Sequence, residues 1–270
     1  MKFSVLMSLY HKERSSFLNE CLQSIEAQSI SPTEIVIVED GCLTKSLYDT
    51  LDFWEARLPI VRVHLSENLG LGKALNEGIK YCKTDFVARM DTDDICDPLR
   101  FEKQLSKIVS VDADVCGSWV SEFETNKEFI SAYRKPPETH EEIVATSKFK
   151  NPLNHPSVMY RKSAVIDVGG YDDILFFEDY HLWLKLINQG YKFYNIQEPL
   201  VSMRAGLGQL SRRGGFAYAC LELSFLKKSS REGIMQKRHA LRNAVIRFPI
   251  RVLPTQMLGK IYKIIRSRDV

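Results

Sequence analysis

No C-x-x-C pair occurs among the six cysteines of this 270-residue chain, Cys21, Cys42, Cys82, Cys96, Cys116 and Cys220. Their scatter excludes a zinc ribbon and offers no disulfide framework, so thiols in a reducing cytosol are expected. No uninterrupted apolar stretch reaches the ~18 residues that a membrane span requires. The opening run, residues 1–7, has neither the length nor the cleavage site of a signal peptide. The body is therefore expected in the cytoplasm, with any membrane contact peripheral. Internal repeats and low-complexity segments are missing too, which leaves out solenoids and disordered tracts.

The chain is long enough for one large domain or two small ones. Hydrophobic residues make up 44% and charged residues 26%, as in ordinary soluble proteins. The net charge of +3 hides an asymmetry: residues 227–270 carry 12 Lys/Arg against 2 Asp/Glu, so the remainder is acidic. A basic end on an acidic body points to an anionic surface as partner.

Short apolar runs at residues 3–9, 34–38, 60–65 and 86–90 read as buried strands. Between them, helical periodicity places Phe17, Leu18, Cys21, Leu22 and Ile25 on one face, then Leu47, Leu51 and Trp54 on another. A third helix follows Gly72 and ends near residue 83. Strands alternating with helices at this spacing predict a parallel α/β sheet, whose ligand sits beyond the carboxyl ends of the strands. Polar residues gather at those ends: Tyr10, His11, Lys12 and Glu13, then Asp40, then Asn68, then Asp91, Asp93 and Asp94. Four independent strand ends thus line one rim. Further on, a helix is expected to about residue 109, strands over 113–124 and 129–133, and a short helix over 139–147. A two-proline loop over 151–156 follows, then a helix over 180–188 and strands over 191–196 and 200–204. The tail from about residue 216 reads as helix broken near Pro249 and Pro254.

Asp91, Asp93 and Asp94 put three carboxylates into four positions. Such a cluster repels itself unless a cation sits on it, and a divalent cation of that kind usually brings a phosphate. The bland alternative is an Asp-rich turn or helix cap. Asn68-x-Gly70-x-Gly72 superficially matches a dinucleotide fingerprint, but it follows the third strand rather than the first, so an NAD site is rejected. Asp91-x-Asp93 has Ile95 where aspartyl-phosphate phosphatases place Thr, which keeps that chemistry remote.

The succession Val5-Leu6-Met7-Ser8-Leu9-Tyr10, Ile35-Val36-Ile37-Val38-Glu39-Asp40-Gly41, Glu67-Asn68-Leu69-Gly70-Leu71-Gly72-Lys73 and Met90-Asp91-Thr92-Asp93-Asp94 resembles family 2 glycosyltransferases of the GT-A fold. Phe177-Glu178-Asp179-Tyr180-His181-Leu182-Trp183 resembles that family's acidic helix start. The resemblance covers about residues 1–205. Asn151-Pro152-Leu153-Asn154-His155-Pro156 further resembles bacterial enzymes that build O-antigen and exopolysaccharide units on a lipid carrier.

The resemblance implies a GT-A fold, a Rossmann-like, mostly parallel central sheet flanked by helices, with a helical basic C-terminal tail. It divides the chain into a nucleotide-sugar-binding half (1–110), an acceptor-binding half (111–210) and a tail (211–270). It implies an inverting, metal-dependent transfer of galactose or glucose from a UDP-sugar to a polyprenyl-diphosphate-linked sugar. The implied acceptor is N-acetylglucosamine on diphospho-undecaprenol, and the implied link is β1,3. Leu9, Tyr10, Glu13, Asp40, Asn68, Lys73, Asp91, Thr92 and Asp93 would bind the donor, with Asp40 on the uracil. Asp93 would hold Mn2+ or Mg2+. Asp179, with Glu178 beside it, would be the general base; without the family, an acidic pair suiting the helix dipole reads as well. His155, Trp183 and Arg204 would face the acceptor, although a loop His and an apolar-face Trp are as often structural. The basic tail reads as a peripheral anchor at the cytoplasmic face of the inner membrane or as a solvated helix, and no nucleic-acid motif accompanies it. Two other classes stay open. One is a non-catalytic nucleotide-sugar-binding protein. The other is a nucleotidyltransferase, whose glycine-rich loop after the first strand is missing here.

Overall fold

The computed structural model describes residues 1–205 and 214–253. Nine strands form one sheet: β1 (Phe3–Leu9), β2 (Glu34–Glu39), β3 (Ile60–His64), β4 (Phe86–Arg89), β5 (Ile95–Cys96), β6 (Val115–Phe123), β7 (Ile130–Arg134), β8 (Met159–Arg161) and β9 (Phe193–Arg204). Their order is β3-β2-β1-β4-β8-β6-β9-β5, with β7 paired to β6. The first four strands are mutually parallel, as their unbroken apolar spelling predicts; β8 then runs antiparallel between β4 and β6. The expected halves 1–110 and 111–210 thus share one sheet.

Side-chain alternation explains the two covered faces. Val5, Met7, Leu9, Ile35 and Ile37 pack with Leu18 and Leu22 of α1 (Ser15–Glu26), Leu47 and Leu51 of α2 (Lys45–Glu55) and Phe101 of α4 (Arg100–Ser110). Leu6, Val36 and Val38 face the other way, onto Leu75 and Ile79 of α3 (Leu71–Tyr81), with Val165 of α6 (Lys162–Asp167) and Leu182 and Trp183 of α7 (Glu178–Asn188) in the same cluster. A Cβ on Gly78 would stand 2.5 Å from Leu6 Cδ1 and Val38 Cγ2, so its absence lets α3 lie close on the sheet. α5 (His140–Ser147) begins with a capping box from Thr139 and Glu142.

Past the sheet, α8 (Phe216–Arg231) and α9 (Lys237–Arg251) form a hairpin docked on α7. Phe177 stacks on Phe225 with centroids 4.8 Å apart, and Tyr180 packs beside them. Buried Glu222 accepts from Arg247 Nη1 at 2.6 Å and Arg251 Nε at 2.9 Å, closing the hairpin.

Several elements differ from the sequence expectation. The strands expected over 191–196 and 200–204 are one strand, β9, because Pro199 falls at a register irregularity opposite Trp119, where a ladder N–H is dispensable. β5, β8 and α6 are too short to show a period. Helix α9 carries Pro249 in its last turn instead of breaking there, and Pro254 lies outside the described residues.

Candidate active site

The four parallel strands deliver their carboxyl ends to one rim, and the loop after β4 lies at its centre. Carboxylate oxygens of Asp91, Asp93 and Asp94 all lie within 4.8 Å of one another. Burial, then the charges of Asp91 and Glu13, push the Asp93 carboxyl up to about 7. Asp94 is also raised well above the usual carboxylate range, by burial and by its two acidic neighbours. One Asp94 oxygen accepts the Arg204 backbone N–H at 2.9 Å, and the other is buried without a partner. Three hard oxygen donors, an orphaned carboxylate oxygen and a deficit of positive charge fit a divalent cation such as Mn2+ or Mg2+.

One positive charge is already built in. The Arg89 guanidinium, fully buried at the end of β4, donates from Nη2 to Asp91 Oδ1. Its Nε and Nη1 have no hydrogen-bond partner among the described residues. Arg100 Nη2 donates to the Arg89 carbonyl at 2.7 Å, which fixes the start of the loop.

The neighbouring loops are clamped to each other. Asp40 N donates to the Leu9 carbonyl at 2.7 Å, and the Asp40 carboxylate accepts from Leu69 N at 2.7 Å and Gly70 N at 3.1 Å. Asn68 Nδ2 returns a bond to the Asp40 carbonyl at 3.1 Å. Gly41 adopts φ +83°, and a Cβ there would stand 2.9 Å from Asn68 N, so this crossing of loops requires glycine. Glu13 accepts from Thr92 Oγ1 at 3.3 Å, bringing the loop after β1 against the aspartates. Half-buried Tyr10 lies at the same strand end.

Across the rim, α7 starts with Glu178 and Asp179. Asn151 Nδ2 donates to Asp179 Oδ2 at 2.7 Å. Burial first, then the Asp179 charge, raises Glu178 to about 7, and Arg89 and Asp91 also act on it. The acidic pair therefore stands within electrostatic reach of the aspartate cluster. Gly72 at the start of α3 closes the gap, since a Cβ there would lie 3.5 Å from Glu178 Cβ.

Residues 4–169 match the Glycosyl transferase family 2 profile. The chain is a family 2 glycosyltransferase. An uncharacterized glycosyltransferase of Haemophilus influenzae is 46% identical over 97% of this chain and 98% of its own. An Escherichia coli UDP-Gal:alpha-D-GlcNAc-diphosphoundecaprenol beta-1,3-galactosyltransferase is 39% identical over 97% of this chain and 95% of its own. The solved mannosyltransferase PcManGT from Pyrobaculum calidifontis, in complex with GDP-Man and Mn2+, superposes with TM-score 0.67 at 15% identity, covering 98% of this chain and 80% of that one. The expected GT-A fold is thus borne out.

Three acceptor-side expectations need correction in this glycosyltransferase. Trp183 is fully buried in the core beneath α7, with its ring edge-on to Phe193, so it cannot present a stacking wall. His155 is buried, and its Nε2 lies 3.0 Å from the Tyr171 hydroxyl; burial pulls it well below the usual imidazole range, so it is a neutral brace between loops. Arg204 is buried, with its guanidinium engaged inside the fold. It braces the aspartate loop, donating from Nε to the Asp93 carbonyl at 3.2 Å and from Nη2 to Glu20 at 2.6 Å, with its guanidinium 3.8 Å from the Phe17 ring centroid. Asp40 is buried with both oxygens committed to backbone N–H groups, so a uracil contact would share oxygens already in use. Lys73 pairs with Asp173 at 2.7 Å on the surface, tying α3 to the loop before α7.

The fold also brings to the candidate site two residues that sequence reasoning passed over. Arg89 was visible as a charge inside an apolar strand two residues before Asp91, the one signal available. Asn151 had no comparable signal, because its partner is 28 positions away.

Glu178 gives the site a pH signature. Its ionised form beside Asp179 makes the pair a stronger base, so kcat/KM is expected to rise with pH through about 7. Glu178→Gln should flatten that limb, and an unchanged limb would assign it elsewhere. Stability runs the other way. The folded carboxyl titrates near 7 and the unfolded one near ~4.3, so the folded state holds an extra proton between them. Stability therefore falls as pH rises across that window, and urea midpoints of Glu178→Gln should show a shallower fall, the remainder belonging to Asp93.

Proposed function

We propose that this glycosyltransferase moves a hexose, galactose or glucose, from a UDP-sugar to N-acetylglucosamine on diphospho-undecaprenol. The new bond is a β1,3 link made with inversion, in O-antigen or related surface-polysaccharide assembly at the cytoplasmic face of the inner membrane. The observation that carries this reading is the 39% identity, along nearly the whole of both chains, to a galactosyltransferase named for that donor and acceptor.

The residues support a division of labour. The Asp40-clamped loops and Tyr10 frame the nucleotide, and Asp91 approaches the ribose. Asp93 and its two acidic neighbours would hold the divalent cation, and Arg89 fixes the Asp91 carboxylate. When bound, the cation supplies the positive charge that stabilises the departing diphosphate. Asp179, oriented by Asn151, takes the proton from the acceptor hydroxyl as its oxygen attacks C1 from the face opposite the diphosphate. Inversion follows from that single displacement.

A panel of UDP-galactose, UDP-glucose and UDP-N-acetylglucosamine, each with a synthetic GlcNAc-diphospho-lipid, tests the reading. UDP release is expected with one of the two hexose donors, and NMR of the product should show a β1,3 link. An α-linked product, or release only from UDP-N-acetylglucosamine, would overturn it.

A further inference from the structure

Among the described residues no helix is long and apolar enough to cross a membrane. The outer face of the α8–α9 hairpin nevertheless has the chemistry of a bilayer interface. Along α8, Phe216, Cys220, Leu223, Lys227 and Arg231 recur at spacings of three and four, so they share one stripe, and all are exposed. Along α9, Lys237, Leu241 and Val245 do the same, with half-buried Phe248 three positions further on. The helices run antiparallel, so the stripes meet end to end: Phe216 packs against Phe248 at one end, and Arg231 faces Lys237 at the other.

Between them lies a trench of about 540 Å³ floored by Leu226, Ala240 and Ala244. Its wall at Leu241 is 66% exposed, and Val245 (65%) and Phe216 (69%) lie further along the same stripes, equally uncovered. Monomeric soluble proteins rarely leave a continuous apolar strip this open without a use for it. The cationic end is equally uncommitted. Lys228, Arg247 and Arg251 are spent on Glu232, Asp172 and Glu222, whereas Lys227, Arg231 and Lys237 have no carboxylate partner among the described residues. Three free cations beside an open apolar strip complement an anionic headgroup layer over acyl chains.

We propose that the outer face of the α8–α9 hairpin, from Phe216 and Phe248 across Leu223 and Leu241 to Lys227, Arg231 and Lys237, docks on an anionic phospholipid bilayer. This deepens the reading of the acceptor as a lipid-carried sugar, while the charge and shape of the face stand apart from that reading. The same hairpin packs on α7 through Phe225 and Tyr180, so docking would set the Asp179 helix at a fixed attitude to the membrane.

Full-length protein is sedimented with phosphatidylcholine vesicles and with phosphatidylcholine–phosphatidylglycerol vesicles, without donor or acceptor. Binding to the anionic vesicles is expected. The triple variant Lys227→Gln, Arg231→Gln, Lys237→Gln should bind about a hundredfold more weakly, at roughly a factor of five per charge. Leu241→Ser alone should weaken it about tenfold. Transfer to a short-chain, detergent-free acceptor should be unchanged in both variants, which reports that they fold and separates this inference from the catalytic reading. Wild-type sedimentation by the triple variant would overturn the proposal. So would binding that survives these substitutions but disappears when residues 254–270 are removed. A concentration-dependent dimer that Leu241→Ser dissolves, with no vesicle binding by the wild type, would assign the face to a second copy of the chain instead.

Discussion

Asp179→Asn is expected to lower turnover about a thousandfold while UDP-sugar affinity stays within a few-fold of wild type. The amide keeps the shape of the carboxylate and the neighbourhood of Asn151, whose Nδ2 donates to Asp179 Oδ2 at 2.7 Å. It removes only the ability to take a proton. Donor binding is assigned to the aspartate loop and the Asp40 clamp, so it is expected to change little. Turnover is read from UDP release, and affinity from calorimetry with the UDP-sugar. Near-wild-type turnover in Asp179→Asn would sink the assignment of the base. A parallel loss of affinity would move Asp179 to the donor side.

Asp93→Asn is expected to remove at least about a thousandfold of turnover and, unlike Asp179→Asn, to remove cation-dependent nucleotide binding with it. Asp93 is held near 7 by burial and by Asp91 and Glu13, so its charge is maintained only when something positive shares the site. The neutral amide relieves that repulsion and offers a weaker ligand. Two readouts separate the cases: Mn2+ binding followed by electron paramagnetic resonance, and UDP affinity with and without chelator. Folding should not suffer, since the substitution lessens like-charge crowding, and a raised urea midpoint is the expected by-product. If chelator leaves wild-type transfer intact, the cation reading of the three aspartates fails.

The rim was legible because buried parallel strands spell themselves as continuous apolar runs, and each run here ends in polar residues. The acidic loop after β4 could be placed on that basis, whereas the acidic start of α7 was placed by the family resemblance. Burial of individual side chains could not. Periodicity puts Trp183 on an apolar face but does not say whether that face meets solvent or the sheet, and it meets the sheet. His155 and Arg204 were assigned to the acceptor because they are polar and near the right motifs. Their actual partners, Tyr171 for the first and Glu20 with the Asp93 carbonyl for the second, depend on how loops distant in sequence close on each other. Arg89 is the instructive omission. A buried charge at the end of an apolar strand is tolerable only beside a counter-charge, and the acidic cluster begins two residues later.

The brace between Asp94 and Arg204 spans 110 positions of chain. On a ribosome adding about 5–20 residues per second, the acidic loop emerges roughly 5–20 s before the strand end that holds it. During that interval the nascent polypeptide has the loops after its first four strands but not the backbone N–H that fixes Asp94, and for most of it the helix that carries Asp179 is unmade as well. The last bond of the acidic loop therefore forms late, after the four parallel strands that frame the rim have been made.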